Sequence, residues 1–214
     1  MKRLPYLLLL FLPVSIAAQN APEVNGERLN QSLETLASYG KDENGQPNRV
    51  AFSDGDLEGR AYVIGLMEKA GLETTVDAAG NIIGRRPGNN PDLKPIGFGS
   101  DIDMVPHGGN YDGCVGSMAA VEVAQVLQEK GLQTNHPLEL IIFSNEEGGV
   151  MGSRALAGTL KPEALGVVNS TGYSMGQGIE RLGGDTTRIA EIARPKGSLA
   201  AFLELHIEQG GILD

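Results

Sequence analysis

The sequence predicts an α/β domain in which a β-sheet is flanked by helices. Short apolar runs such as Leu138–Ser144 (LELIIFS) are strand-length, whereas Gly113–Lys130 repeats its apolar residues at helical spacing. The two kinds of segment alternate along the chain, which is the rhythm of a sheet covered by helices. At 214 residues and 41% hydrophobic content, the chain can bury a core of about one domain.

Each element has its own local signal. Asn25 caps a helix expected from Gly26 to Tyr39, with Leu29, Leu33 and Leu36 on one side and Gly40 as its stop. Ser53 caps a second, Asp54–Ala70, closed by Gly71. Glu73–Val76 and Asn81–Arg85 read as short strands around the turn DAAG, and Ile96–Ile102 as a third strand. Val115, Met118, Val121, Val126 and Leu127 give the helix Gly113–Lys130 its apolar stripe, with Gly131 at its end. Gly152–Ala157 and Asp185–Ala193 are expected to be short helices, and Ser198–Gln209 a last strand.

Composition narrows the function. The formal charge is −10 and there is no basic run, so nucleic-acid binding lacks an electrostatic footprint. Residues 1–20, MKRLPYLLLLFLPVSIAAQN, place Lys2 and Arg3 before an apolar run and small residues at 15–18. This is the order of a secretory signal peptide, expected over 1–18, with export to the periplasm or medium and no stable membrane insertion after cleavage. The run is broken by Pro5 and Pro13 and is short for a bilayer span. Cys114 is the single cysteine, so no disulfide can form within the chain, and its place at the start of an apolar helix suits a small buried residue.

The acids are concentrated where strands end. GSDIDMVPHGG (99–109) carries Asp101 and Asp103, on one face if the backbone is extended. The next loop, GGNYDG, supplies Asp112; the following strand runs into Glu146 and Glu147; the last carries Glu204, His206 and Glu208 with Gln209 after them. In open α/β sheets, ligands collect beyond the carboxyl ends of the strands. Carboxylates and an imidazole brought to one edge would repel unless one or two divalent cations joined them. Taken singly, NYDG reads as a turn and EE as a solvated strand end. His107, in a loop after Pro106, is expected to be exposed, and His136 to pack near a strand start.

GSDIDMVPHGGNYDGCVGS, HPLELIIFSNEEGGVMGSRAL and LELHIEQGGIL resemble the M20-type metallohydrolases, and more closely their hydantoinase/carbamoylase branch. That branch contains N-carbamoyl-amino-acid hydrolases, β-ureidopropionases and allantoate amidohydrolases. The resemblance runs from about residue 25 to the end. It implies a zinc-exopeptidase-like catalytic domain whose N-terminal part is residues 19–214. It also implies a small-molecule substrate and two divalent ions, zinc or manganese. Asp112 would bridge them, Glu147 and His206 would each ligate one, and Glu146 would be the general base for the attacking water. Asp103 would orient a ligand, and Gln209 would contact substrate.

Two departures qualify the resemblance. The pattern GSHxD has Asp101 in place of a metal-binding histidine, which adds negative charge and favours harder ions such as manganese. The resemblance also implies that Asp214 falls where a lid and dimerisation domain would begin. The family's homodimer contacts, a further ligating histidine and an arginine for substrate would then lie outside this chain. The expected function is hydrolysis of a non-peptide C–N bond in a ureido or related amide. An M20 aminopeptidase or dipeptidase, and a metal- or partner-binding remnant without turnover, stand as the alternatives. The element HIEQG argues against the peptidase.

Overall fold

The computed structural model describes residues 21–211; the signal peptide expected over 1–18 lies outside them. Five strands form one mixed sheet: β1 (Glu73–Val76), β2 (Ile82–Arg86), β3 (Ile96–Asp101), β4 (Leu138–Phe143) and β5 (Ala201–Leu203), in the order β1-β2-β4-β3-β5. β3 lies parallel to both β4 and β5, so those three end at the same edge. β1, β2 and β4 are joined antiparallel.

Three helices cover one face: α1 (Gly26–Leu36), α2 (Asp54–Lys69) and α3 (Cys114–Glu129). Side chains alternate along a strand, so Ile82, Leu140 and Ile142 point to these helices while Ile83 and Ile141 point away. Leu36, Val63, Met67, Met118 and Ala124 complete the larger core. Each fully buried aliphatic side chain contributes about 1.5–3 kcal/mol, which fixes the β4 register against β2 and β3. The opposite face packs on Leu156 from α4 (Met151–Leu156) and on Ile192. A third cluster joins Phe52 and Met151 to Met175 and Ile179 of α5 (Met175–Arg181).

The caps follow the sequence. Asn25 accepts from the Arg28 N–H at 3.0 Å and Ser53 from the Asp56 N–H at 3.1 Å. Several elements differ from expectation. α1 stops at Leu36 rather than Tyr39, because the next amides bond three residues back, Ser38 to Thr35 and Tyr39 to Leu36. Asp185–Ala193 forms a 3-10 helix over Thr186–Ile192, in which the Asp185 carboxylate accepts from the Thr187 N–H at 2.9 Å. Its adjacent β-branched threonines disfavour an α-helix. The last strand is confined to Ala201–Leu203, because the chain then leaves β3 to cross α3, where a Cβ on Gly116 would lie 2.2 Å from the Leu205 carbonyl oxygen. α5 was not expected, although Ser174 and Gln177 form a capping box at its start. Among the described residues no helix is long and apolar enough to cross a membrane.

Candidate active site

The parallel run β4-β3-β5 delivers three chain segments to one sheet edge. β3 ends in Asp101 and continues to Asp103; β4 runs into Ser144-Asn145-Glu146-Glu147; β5 leads to Glu204 and His206. Asp112 enters from the loop that starts α3.

Asp103 is buried beneath the loop after β4. Its carboxylate accepts from the backbone N–H groups of Glu146 at 3.0 Å and Glu147 at 3.3 Å. Asn145 has a left-handed backbone, φ 47°, at the turn that presents both amides to Asp103. Asp103 thus clamps the backbone of the acidic pair.

Asp112 is the meeting point of the site. One of its oxygens lies 3.2 Å from Nε2 of His206, and the other accepts from the Gln209 side-chain amide at 2.5 Å. Glu147 stands close enough for the Asp112 charge to raise its carboxyl. Nδ1 of His206 is turned toward the Ile207 carbonyl at 3.1 Å, which leaves Nε2 facing the acids.

Asp101 is buried against Gly113. A Cβ at position 113 would lie 2.2 Å from the nearer Asp101 oxygen, and Gly113 has φ 60°, so only glycine permits this approach. The Ser117 hydroxyl donates to the Asp101 carbonyl at 2.6 Å, locking α3 onto the end of β3. Ser100 stands between two acids, 2.6 Å from Glu204 and 3.2 Å from Asp101.

Crowding shifts these groups in one direction. Burial, then the charges of Glu146, Glu147 and Asp112, push the Asp101 carboxyl up to about 8. Burial and the neighbouring Asp101 raise Asp103 well above the ordinary carboxylate range, against the pull of its two N–H donors. Glu146 is raised by burial and by Glu204 and Asp112, and Glu147 by burial and by Asp112 and Glu146. His206 opposes the rise at both glutamates.

The donor chemistry fits a divalent cation. Burial and neighbouring charges, that of Asp112 among them, raise Asp101, Glu146 and Glu147, and an imidazole stands beside them, which is the set that a cation relieves. Among the described residues, however, no three His, Cys, Asp or Glu side chains close around one point as a finished chelate. The direct His206–Asp112 and Gln209–Asp112 contacts take up the oxygens a bridging carboxylate would use. The Asp112 and His206 atoms that make these contacts are the donors a divalent cation takes.

The sequence reading assigned Asp101, Asp112, Glu146, Glu147, His206 and Gln209 to one site, and the fold brings them to one edge with Asp103 beneath. Glu204 had no assigned role, yet it joins the cluster through Ser100 and its charge raises Glu146. Ser100 itself was missed; its position directly before the first acid was the available signal. Glu208 turns aside to accept from the Gly210 N–H. His107 pairs with Asp42 at 3.2 Å, exposed as expected, and His136 meets the Lys94 carbonyl at 2.7 Å beside the start of β4. Cys114 is fully buried and unpaired, as expected.

Comparison with known proteins gives consistent matches. The sequence profile of peptidase family M20/M25/M40 matches residues 97–214. The chain is 42% identical over 196 residues to an N-carbamoyl-L-amino acid amidohydrolase of Geobacillus stearothermophilus, covering 89% of this chain and 48% of that protein. It is 36% identical over 211 residues to a ureidoglycolate hydrolase of Arabidopsis thaliana, covering 94% and 44%. A solved hydantoinase/carbamoylase family amidase from Burkholderia ambifaria superposes with a TM-score of 0.79 at 34% identity, over 90% of this chain and 47% of that one. The chain spans about half the length of the relatives it matches.

Proposed function

Because this chain belongs to peptidase family M20/M25/M40, we propose that it contributes the catalytic centre of a metal-dependent amidohydrolase acting on a linear, non-peptide C–N bond. N-carbamoyl amino acids and related ureido compounds are the substrate class. The observation that carries this reading is the meeting of Asp101, Asp112, Glu146, Glu147 and His206 at the shared end of β3, β4 and β5. The relatives named above, which hydrolyse N-carbamoyl-L-amino acids and ureidoglycolate by their names, support the choice of bond.

Two divalent cations, zinc or manganese, would be held by Asp101, Asp112, Glu147 and His206. When bound, such cations acidify water and polarise a carbonyl oxygen. Glu146 takes a proton from the attacking water. As water oxygen bonds to the carbonyl carbon and the C–N bond breaks, Glu146 returns that proton to the departing nitrogen. A carboxylate serves both steps, because it accepts the proton as a base and gives it back as an acid. Asp103 holds the Glu146 and Glu147 backbone, and Gln209 presents an amide to substrate beside Asp112.

The test is hydrolysis of a panel of N-carbamoyl amino acids and of dipeptides, with added Mn²⁺ or Zn²⁺. Turnover of the carbamoyl compounds that disappears in Glu146→Gln supports the proposal. Preference for dipeptides would move the chain to the peptidase reading. One observation favours a remnant without turnover: Asp101 stands where the pattern has a histidine. Metal binding without hydrolysis of either panel would establish that second reading.

We further propose export, supported by the basic, apolar and small-residue order of residues 1–18. Fractionation with N-terminal sequencing tests it: a chain in periplasm or medium that starts near residue 19 supports it, and recovery only from the cytoplasm with Met1 intact overturns it.

A further inference from the structure

We propose that Arg49 is the positioning residue of this site, with its guanidinium fixing the spacing between the two segments that carry the acids. The inference rests on the metallohydrolase reading and adds a residue that reading does not contain. Arg49 is fully buried. Its Nε donates at 2.8 Å to the carbonyl of Ile102, the residue between Asp101 and Asp103. Its Nη2 lies 3.1 Å from Sγ of Cys114, the first residue of α3 and two residues beyond Asp112. Nη1 donates to the carbonyls of Leu36 at 2.8 Å and Tyr39 at 3.3 Å, which anchors the fork in the end of α1. The Arg49 carbonyl accepts from the Met104 N–H at 3.1 Å, so one residue grips 102–104 through both side chain and backbone.

Among the described residues no carboxylate lies within ion-pair distance of Arg49. A buried cation without a contact anion is costly, so its place is not explained as a salt bridge. The fork is what the surroundings use. A planar guanidinium can direct bonds at Ile102, Cys114 and α1 together, which a point-like ammonium cannot do. The channel is shaped for it: a Cβ on Gly40 would lie 2.7 Å from the Arg49 Cα and Cβ, and a Cβ on Gly59 would lie 2.8 Å from its Cδ. Arg49 touches none of the reacting groups. It acts on Asp101, Asp103 and Asp112 through the backbone on which they stand.

Arg49→Lys keeps the charge and removes the fork, whereas Gly59→Ala keeps Arg49 and displaces its Cδ. Mn²⁺ affinity is measured by calorimetry on the folded full chain, with kcat and KM on the best carbamoyl substrate. In both variants Mn²⁺ should bind about tenfold more weakly, and kcat should fall about 10–100-fold with KM within about twofold. A folded Arg49→Lys protein with wild-type Mn²⁺ affinity overturns the proposal. If that variant does not fold, Gly59→Ala decides by the same readings. If the wild type binds no Mn²⁺, the metallohydrolase reading fails separately. Crystal structures of wild type and Gly59→Ala then test the positioning alone. The 3.9 Å separation of Cys114 Sγ from the Ile102 carbonyl oxygen should widen in the variant; an unchanged separation refutes it.

Discussion

Nε2 of His206 lies 3.2 Å from a carboxylate oxygen of Asp112, which closes the end of β5 onto the start of α3. The contact joins two groups that the metallohydrolase reading places on one centre. Asp112→Asn removes the charge and the second equivalent oxygen, so Mn²⁺ binding should be lost and turnover should fall by about a hundredfold or more. His206→Gln should lose less, because its carboxamide reaches the place of Nε2 and can still donate to Asp112. Groups serving one centre are not additive. The double variant should therefore be no worse than Asp112→Asn alone; losses that multiply would place the two residues on separate tasks.

Asp103 meets no reacting group and still controls two of them. In Asp103→Asn, one of its two backbone donors, Glu146 N–H or Glu147 N–H, would face an amide NH₂ instead of an acceptor. Leaving a buried donor unsatisfied costs about 1–3 kcal/mol, and a misplaced Glu146–Glu147 pair should lower kcat about 10–100-fold. Thermal melts and kinetics read the two effects. If Asp103→Asn is less stable but keeps its kcat, the clamp serves folding rather than the site.

Asp101 gives the metal-stripped protein an unusual response to pH. Its carboxyl is pushed to about 8 in the folded chain, against about 4 in an unfolded one. The folded state then binds the proton more tightly, so this group's stabilisation is full below about pH 4 and is lost as pH rises toward 8. Chelator-treated protein should gain thermal stability when acidified from pH 8 to pH 6, where most proteins change little. Asp101→Asn should flatten that rise and be the more stable form at pH 8. A wild-type melting temperature that is level across this range contradicts the assignment.

The parts of this molecule legible from sequence are those written in local patterns. Caps at Asn25 and Ser53, the apolar run of β4 and the helical stripe of α3 each state their own structure. Acids at Asp101, Asp112, Glu146 and Glu147 could be assigned to one place because parallel neighbouring strands share an edge. What escaped depends on contacts distant in sequence. β5 is three residues long because Gly116 draws the chain away, and nothing within LELHIEQGG carries that information. Arg49 sits in a polar, loop-like stretch that gives no sign of burial; it becomes a core residue because carbonyls from α1 and the end of β3 converge on it. Ser100 looks like strand filler until β5 places Glu204 opposite it.

That serine supports the last prediction. Its hydroxyl has one proton for two acids, and the 2.6 Å contact to Glu204 takes it in preference to the 3.2 Å contact to Asp101. With Asp101 protonated, the carboxyl O–H can donate back to the Ser100 oxygen, so a single hydroxyl links the end of β3 to the chain that carries His206. β5 pairs with β3 only from Ala201 to Leu203, so this bond adds to the Phe202–Phe143 packing and the His206–Asp112 contact that hold the segment. Ser100→Ala removes one charge-assisted bond, about 1.5–3 kcal/mol, in a buried position where the smaller side chain fits without strain. Global stability should fall by no more than that. Amide exchange over residues 201–206 should accelerate while exchange in β4 stays slow. Mn²⁺ affinity should weaken with it, since His206 follows Glu204 by two residues. Unchanged exchange in 201–206 would show that the segment is held without the Ser100 hydroxyl.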